Sequence, residues 1–113
     1  MRVTFADIAA ATGGRLTTGD PCALATGVST DSRGISAGDV FFALKGPNFD
    51  GHAFVKDVLA RGASGVVVSN EECLAGAPRS ACAVVAEDTL KALGGLASFM
   101  RGLHRIPVIA VTG

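Results

Sequence analysis

Three short apolar runs constrain this chain most: VFFAL at Val40–Leu44, GVVVS at Gly65–Ser69 and CAVVAE at Cys82–Glu87. They are rich in β-branched or aromatic residues and are short for helices. Their apolar cores do not alternate with polar residues, so each reads as a strand covered on both faces. Helical patterns lie between and around them. In FDGHAFVKDVLARGAS, Phe54, Val55, Val58 and Leu59 form one apolar stripe and Gly62 closes the helix. In DTLKALGGLASFMRGLH, Asp88 is the expected cap, and Leu90, Leu93, Leu96, Ala97 and Met100 spread over the apolar faces. TFADIAAATGG predicts a helix near the start, capped by Thr4, with Phe5, Ile8 and Ala9 on one face and Gly13-Gly14 at its end. RLTTGDPC reads as a brief strand before a turn at Gly19-Asp20-Pro21, and ALATGVSTDSRG begins as a β-type stretch and finishes in a polar turn. IPVIAVTG is predicted as a last strand. Strands alternating with helices in this way predict an α/β fold, a small mixed sheet flanked by helices.

Composition narrows the function. Ten basic and ten acidic residues give a formal net charge of zero, and no run of like charge exists. A nucleic-acid binder carries a basic stripe, so that class is excluded, and any anion must be met by a local site. The three cysteines, Cys22, Cys73 and Cys82, are odd in number and lack CxxC spacing. They predict small buried or half-buried thiols in a reducing compartment, with no structural zinc. The opening residues lack the apolar core of a signal peptide, and no stretch is long enough to span a bilayer. A cytoplasmic protein without membrane insertion is expected.

Two polar clusters follow strand-like runs. STDSRG, Ser29 to Gly34, joins hydroxyls, one carboxylate and one guanidinium. Its structural reading is a turn in which Asp31 and Ser32 bond nearby backbone and Arg33 pairs with an acid. Its functional reading is a small polar ligand held at the rim of a sheet. LKGPNFDGH, Leu44 to His52, offers Lys45 as a point charge for a phosphate, Pro47 and Asn48 in a turn, and Phe49 as a ring that can stack or fold back onto the core. Asp50 and His52 can be read as an acid–base pair, but Asp-Gly-His before a helix more often forms a cap with a satisfied histidine. His104 lies outside any motif and reads as a surface residue or helix-end charge. No complete catalytic constellation and no metal motif is present in the sequence.

Taken together, DSR, GD-F-AL-G, DGH-F and GA, followed by IPVIAVTG, resemble the Mur ligases that extend the peptidoglycan stem peptide. The resemblance lies nearest the MurF-type branch, which adds D-alanyl-D-alanine, with the MurE-type branch, which adds the third stem-peptide residue, next. It implies an N-terminal domain over residues 1–104 that holds the UDP end of UDP-N-acetylmuramoyl-tripeptide. Residues 105–113 would be the first strand of a central domain binding ATP and Mg2+, whose family pattern continues T-G-x-x-G-K-T. The parent would be an ATP-dependent ligase acting through an acyl phosphate, and these residues alone would be inactive. By the same resemblance, UDP contacts fall on Thr30, Ser32, Pro47, Asn48 and Phe49, with Lys45 near the pyrophosphate. Asp31 and Arg33 would shape the turn, and Thr112 and Gly113 would begin the ATP loop. An alternative of another class is a stand-alone module that binds a nucleotide or a protein without catalysis.

Overall fold

The computed structural model describes residues 2–47 and 49–112, with Phe49 and residues 103–112 described by their backbone alone. In chain order the elements are β1 (Val3–Thr4), α1 (Phe5–Thr12), β2 (Arg15–Thr18), β3 (Leu24–Ala25), β4 (Gly27–Ser29), β5 (Asp39–Phe42), β6 (Lys45–Gly46), β7 (Phe49–Asp50), α2 (Val55–Ala60), β8 (Gly65–Val68), β9 (Cys82–Val85) and α3 (Thr89–Thr112). Five strands form the central sheet in the order β2-β9-β8-β5-β4. β4, β5, β8 and β9 run parallel, and β2 closes the β9 edge antiparallel, making the sheet mixed as expected. Two small pairs, β1 with β3 and β6 with β7, lie outside it.

The continuous apolar runs are explained by helices on both faces. Val40, Phe42, Val67, Cys82 and Val84 point to one side, where Phe5 and Ile8 of α1 and Ala92 and Leu96 of α3 meet them. Phe41, Val66, Val68 and Ala83 point to the other side, against Val55 and Val58 of α2. Alternate side chains of each strand thus enter opposite cores, and both cores want apolar residues.

Local signals set the helix ends. Thr4 caps α1, its Oγ1 accepting the Asp7 N–H at 3.1 Å. Gly13 stops that helix in the left-handed region at φ 70°, where a Cβ would add strain. Asp88 caps α3 by accepting the N–H groups of Leu90 and Lys91 at 2.9 and 3.2 Å. α1 and α3 touch closely because Gly95 has no side chain; a Cβ there would lie 2.4 Å from the Ala11 carbonyl oxygen.

The structure corrects four expectations. α2 is only six residues long, because a 3-10 turn over Gly51–Phe54 precedes it. Phe54 therefore lies before the helix, off the buried stripe, and is 37% exposed. Leu90 is 67% exposed, since in the first turn of α3 only Thr89 and Ala92 of the residues up to Ala92 face the core. Cys22 is exposed, whereas Cys73 is half-buried and Cys82 buried. Finally, the backbone of α3 continues through residues 105–112, which were expected as a strand. A strand needs a neighbour to pair its N–H and C=O groups, while a helix satisfies them within its own segment. The central sheet has β2 and β4 at its edges and takes no strand from that stretch.

Candidate functional site

Because four strands of the sheet are parallel, the loops leaving them gather at one edge. That carboxyl edge is where open α/β sheets hold ligands. Here it carries a cleft of about 620 Å3. Thr30 lines it after β4, Leu44, Lys45 and Gly46 after β5, Ser69 after β8, and Glu87 to Leu90 after β9. A second hollow of about 460 Å3 lies between the end of α1 and the start of α3 and shares Glu87 and Asp88.

The cleft wall is held in place by hydrogen bonds from each loop. Thr89 is 6% exposed, and its Oγ1 donates to the Ala43 carbonyl at 2.8 Å, tying the start of α3 to the end of β5. The Gly51 N–H donates to the Leu44 carbonyl at 2.7 Å and folds the β6–β7 hairpin back on the strand that feeds it. In that hairpin Lys45 stands opposite Asp50. Asp50 accepts the His52 N–H at 3.0 Å, and its Oδ1 lies 2.7 Å from His52 Nδ1. These bonds, the backbone one first, hold its carboxyl below the ordinary value of 3.8, and the Lys45 charge adds a smaller pull. Asp50 and His52 therefore form the expected cap with a satisfied histidine.

The STDSRG cluster is a turn, as its structural reading requires. Asp31 accepts the Arg33 N–H at 2.9 Å, and Ser29 Oγ donates to the Asp31 carbonyl at 3.0 Å. The Asp31 carboxyl is held below its ordinary value, first by that backbone N–H and then by the Arg33 side chain. Arg33 itself extends into solvent, 88% exposed, with its Nε 3.4 Å from Asp31.

The residues singled out from the sequence are only partly brought together. Thr30 and Lys45 share the cleft. Ser32 sits in the adjoining 3-10 turn, 5% exposed, and is not among the residues lining the cleft. Its carbonyl accepts from the Arg61 guanidinium at 3.4 Å. Pro47 is exposed at the tip of the β6–β7 hairpin. Asn48 and Gly113, and the side chains of Phe49 and Thr112, lie outside the described residues. Ser69 and Thr89 enter the site without having been expected there. The available signal was a hydroxyl residue at the carboxyl end of two of the three buried runs, after VVV and after CAVVAED.

Among the described residues no group of three or more His, Cys, Asp or Glu side chains converges. No helix among them is long and apolar enough to cross a membrane.

Comparison with known proteins extends these observations. Residues 25–101 match the family described as "Mur ligase family, catalytic domain". A UDP-N-acetylmuramoyl-tripeptide–D-alanyl-D-alanine ligase from Synechocystis sp. is 38% identical over 86 residues, covering 76% of this chain and 18% of the relative. A UDP-N-acetylmuramoyl-L-alanyl-D-glutamate–2,6-diaminopimelate ligase from Aquifex aeolicus is 37% identical over 89 residues, covering 77% and 17%. The crystal structure of MurF from Acinetobacter baumannii superposes with a TM-score of 0.76 at 32% identity, covering 91% of this chain and 22% of that one. The chain thus spans about a fifth of the length of the proteins it matches.

Proposed function

The chain belongs to the Mur ligase family, and on that premise we propose that residues 1–104 form the domain that holds the UDP end of a UDP-N-acetylmuramoyl-peptide. The supporting observation is the cleft at the carboxyl edge of the parallel strands, where Thr30 and Lys45 meet. Its chemistry suits a nucleotide: one lysine for the phosphates, hydroxyls and loop backbone for polar edges, and Leu44 and Leu90 beside a flat ring. The family profile is described as catalytic. The cleft offers hydroxyls, one lysine and loop backbone, and binding is the role we assign to it.

The parent enzyme, on this reading, is a cytoplasmic ATP-dependent ligase that adds D-alanyl-D-alanine to the tripeptide through an acyl phosphate. On this reading ATP and Mg2+ are met by the family's central domain rather than by residues 1–104. What this chain contributes is orientation: it holds one end of a long substrate so that the stem-peptide carboxylate is delivered elsewhere. The MurE-type reading is carried by near-equal identity to a 2,6-diaminopimelate ligase. Assaying the full-length protein separates the two, since one adds D-alanyl-D-alanine to the tripeptide and the other a diamino acid to the dipeptide.

The domain assignment is tested by titrating UDP and UDP-N-acetylmuramoyl-tripeptide into the isotope-labelled chain. The amides of Thr30, Ser32 and Lys45 are expected to shift. Lys45→Ala should weaken UDP about three- to tenfold, as for a partly solvated charged contact, and leave uridine unchanged. Unmoved amides at millimolar ligand would sink the assignment.

A further inference from the structure

One relay in the cleft wall is left unused by that reading. Asp50 Oδ1 lies 2.7 Å from His52 Nδ1, and His52 Nε2 lies 3.0 Å from the Ser69 backbone nitrogen and 3.1 Å from Ser69 Oγ. A backbone N–H can only donate, so Nε2 is the acceptor and the ring proton sits on Nδ1, donated to Asp50. The His52 side chain is only 9% exposed, while Ser69 is exposed and lines the cleft. Since Nε2 only accepts, the Ser69 hydroxyl donates to it, and its lone pairs are left for the cleft.

The same residue types in the same order of contact form nucleophilic triads. Here the Ser69 N–H and the Ser69 hydroxyl share the one lone pair of Nε2, which weakens it as a general base. The geometry therefore presents an acceptor and does not activate a nucleophile. A diphosphate carries only acceptors at neutral pH, so this oxygen must face a donor-bearing part of the ligand.

We propose that Ser69 is a specificity-determining contact that reads a hydrogen-bond donor of the uridine, its imide N–H or a ribose hydroxyl, with Asp50 and His52 as positioning residues that fix the polarity of the Ser69 hydroxyl. This rests on the UDP reading above. It adds to that reading the loop after β8 as the place where the nucleoside is read.

The test compares UDP with its N3-methyl, 2′-deoxy and 3′-deoxy analogues on the full chain, by titration followed in amide spectra. In the wild type one analogue should bind about three- to tenfold more weakly than UDP, the range for a neutral hydrogen bond. Ser69→Ala should remove that discrimination, Ser69→Thr should restore it, and His52→Gln should blunt it. A long-range nitrogen–proton spectrum should show the His52 proton on Nδ1. If UDP binds but all analogues bind alike, or if Ser69→Ala discriminates as the wild type does, the Ser69 role is overturned and the UDP reading stands. If UDP moves neither Thr30 nor Lys45 amides, both fall. Covalent capture of Ser69 by a fluorophosphonate would overturn the acceptor role in favour of a nucleophile.

Discussion

Two neighbouring glycines in α3 offer a controlled measurement of how α1 and α3 are packed. Replacing Gly94 by alanine meets nothing within 4 Å, whereas a Cβ at Gly95 lies 2.4 Å from the Ala11 carbonyl oxygen and 3.6 Å from Thr12 Cα. Both substitutions gain the same helix propensity, about 0.5–1 kcal/mol over glycine. Only the second must push one helix off the other, and its obstacle is backbone, which cannot rotate away. Overpacking of this kind costs about 1–3 kcal/mol. Gly94→Ala is therefore expected to stabilise the chain by about 0.5–1 kcal/mol. Gly95→Ala should fall about 1–3 kcal/mol below it, since subtracting one variant from the other cancels the shared propensity. Urea unfolding followed by circular dichroism reads both, with unchanged slopes confirming the same unfolding transition. Variants within about 0.5 kcal/mol of each other, a spread ordinary for surface changes, would refute the close helix contact.

Two further perturbations probe the cleft. Thr89→Val keeps the shape of the side chain but strips the Ala43 carbonyl of its donor; about 1–3 kcal/mol of stability should be lost in the same urea assay, and Thr89→Ser should retain most of it. Asp31 and Asp50 are both held below the ordinary 3.8 by hydrogen bonds. A carboxylate depressed on folding stabilises above its unfolded value, and that contribution is lost as pH falls through the folded one. Carboxyl carbon titration should therefore place both midpoints under 3.8, and His52→Gln should raise Asp50 while leaving Asp31 unchanged.

The sequence was most legible where chemistry is local. Thr4 and Asp88 announce their helices because a cap needs only residues two or three positions on. The three apolar runs announce a doubly covered sheet, since both of their faces are apolar. Asp50 and His52 were readable as a cap for the same local reason. Contacts distant in sequence were not readable. Ser69 meets His52 across 17 residues, and Thr89 meets Ala43 across 46, so neither pair leaves a spacing pattern. Leu90 misled because helical periodicity fixes the spacing of a stripe but not which face a helix presents in its first turn. The antiparallel pairing of β2 was likewise invisible, because its partner is β9, far along the chain.

That pairing has a consequence for how the chain is born. β2 joins the sheet through β9, and Thr17 and Thr18 send their hydroxyls to the carbonyls of Ala83 and Ala81 across 66 and 63 residues. During synthesis at about 5–20 residues per second, Thr18 leaves the ribosome's catalytic centre about 3–13 seconds before Cys82. Throughout that interval Phe5 and Ile8, fully buried at the end, have no β9 and no α3 to cover them. A segment made before its partners must then dock late, and a nascent chain halted before Val85 displays an apolar helix that chaperones would hold.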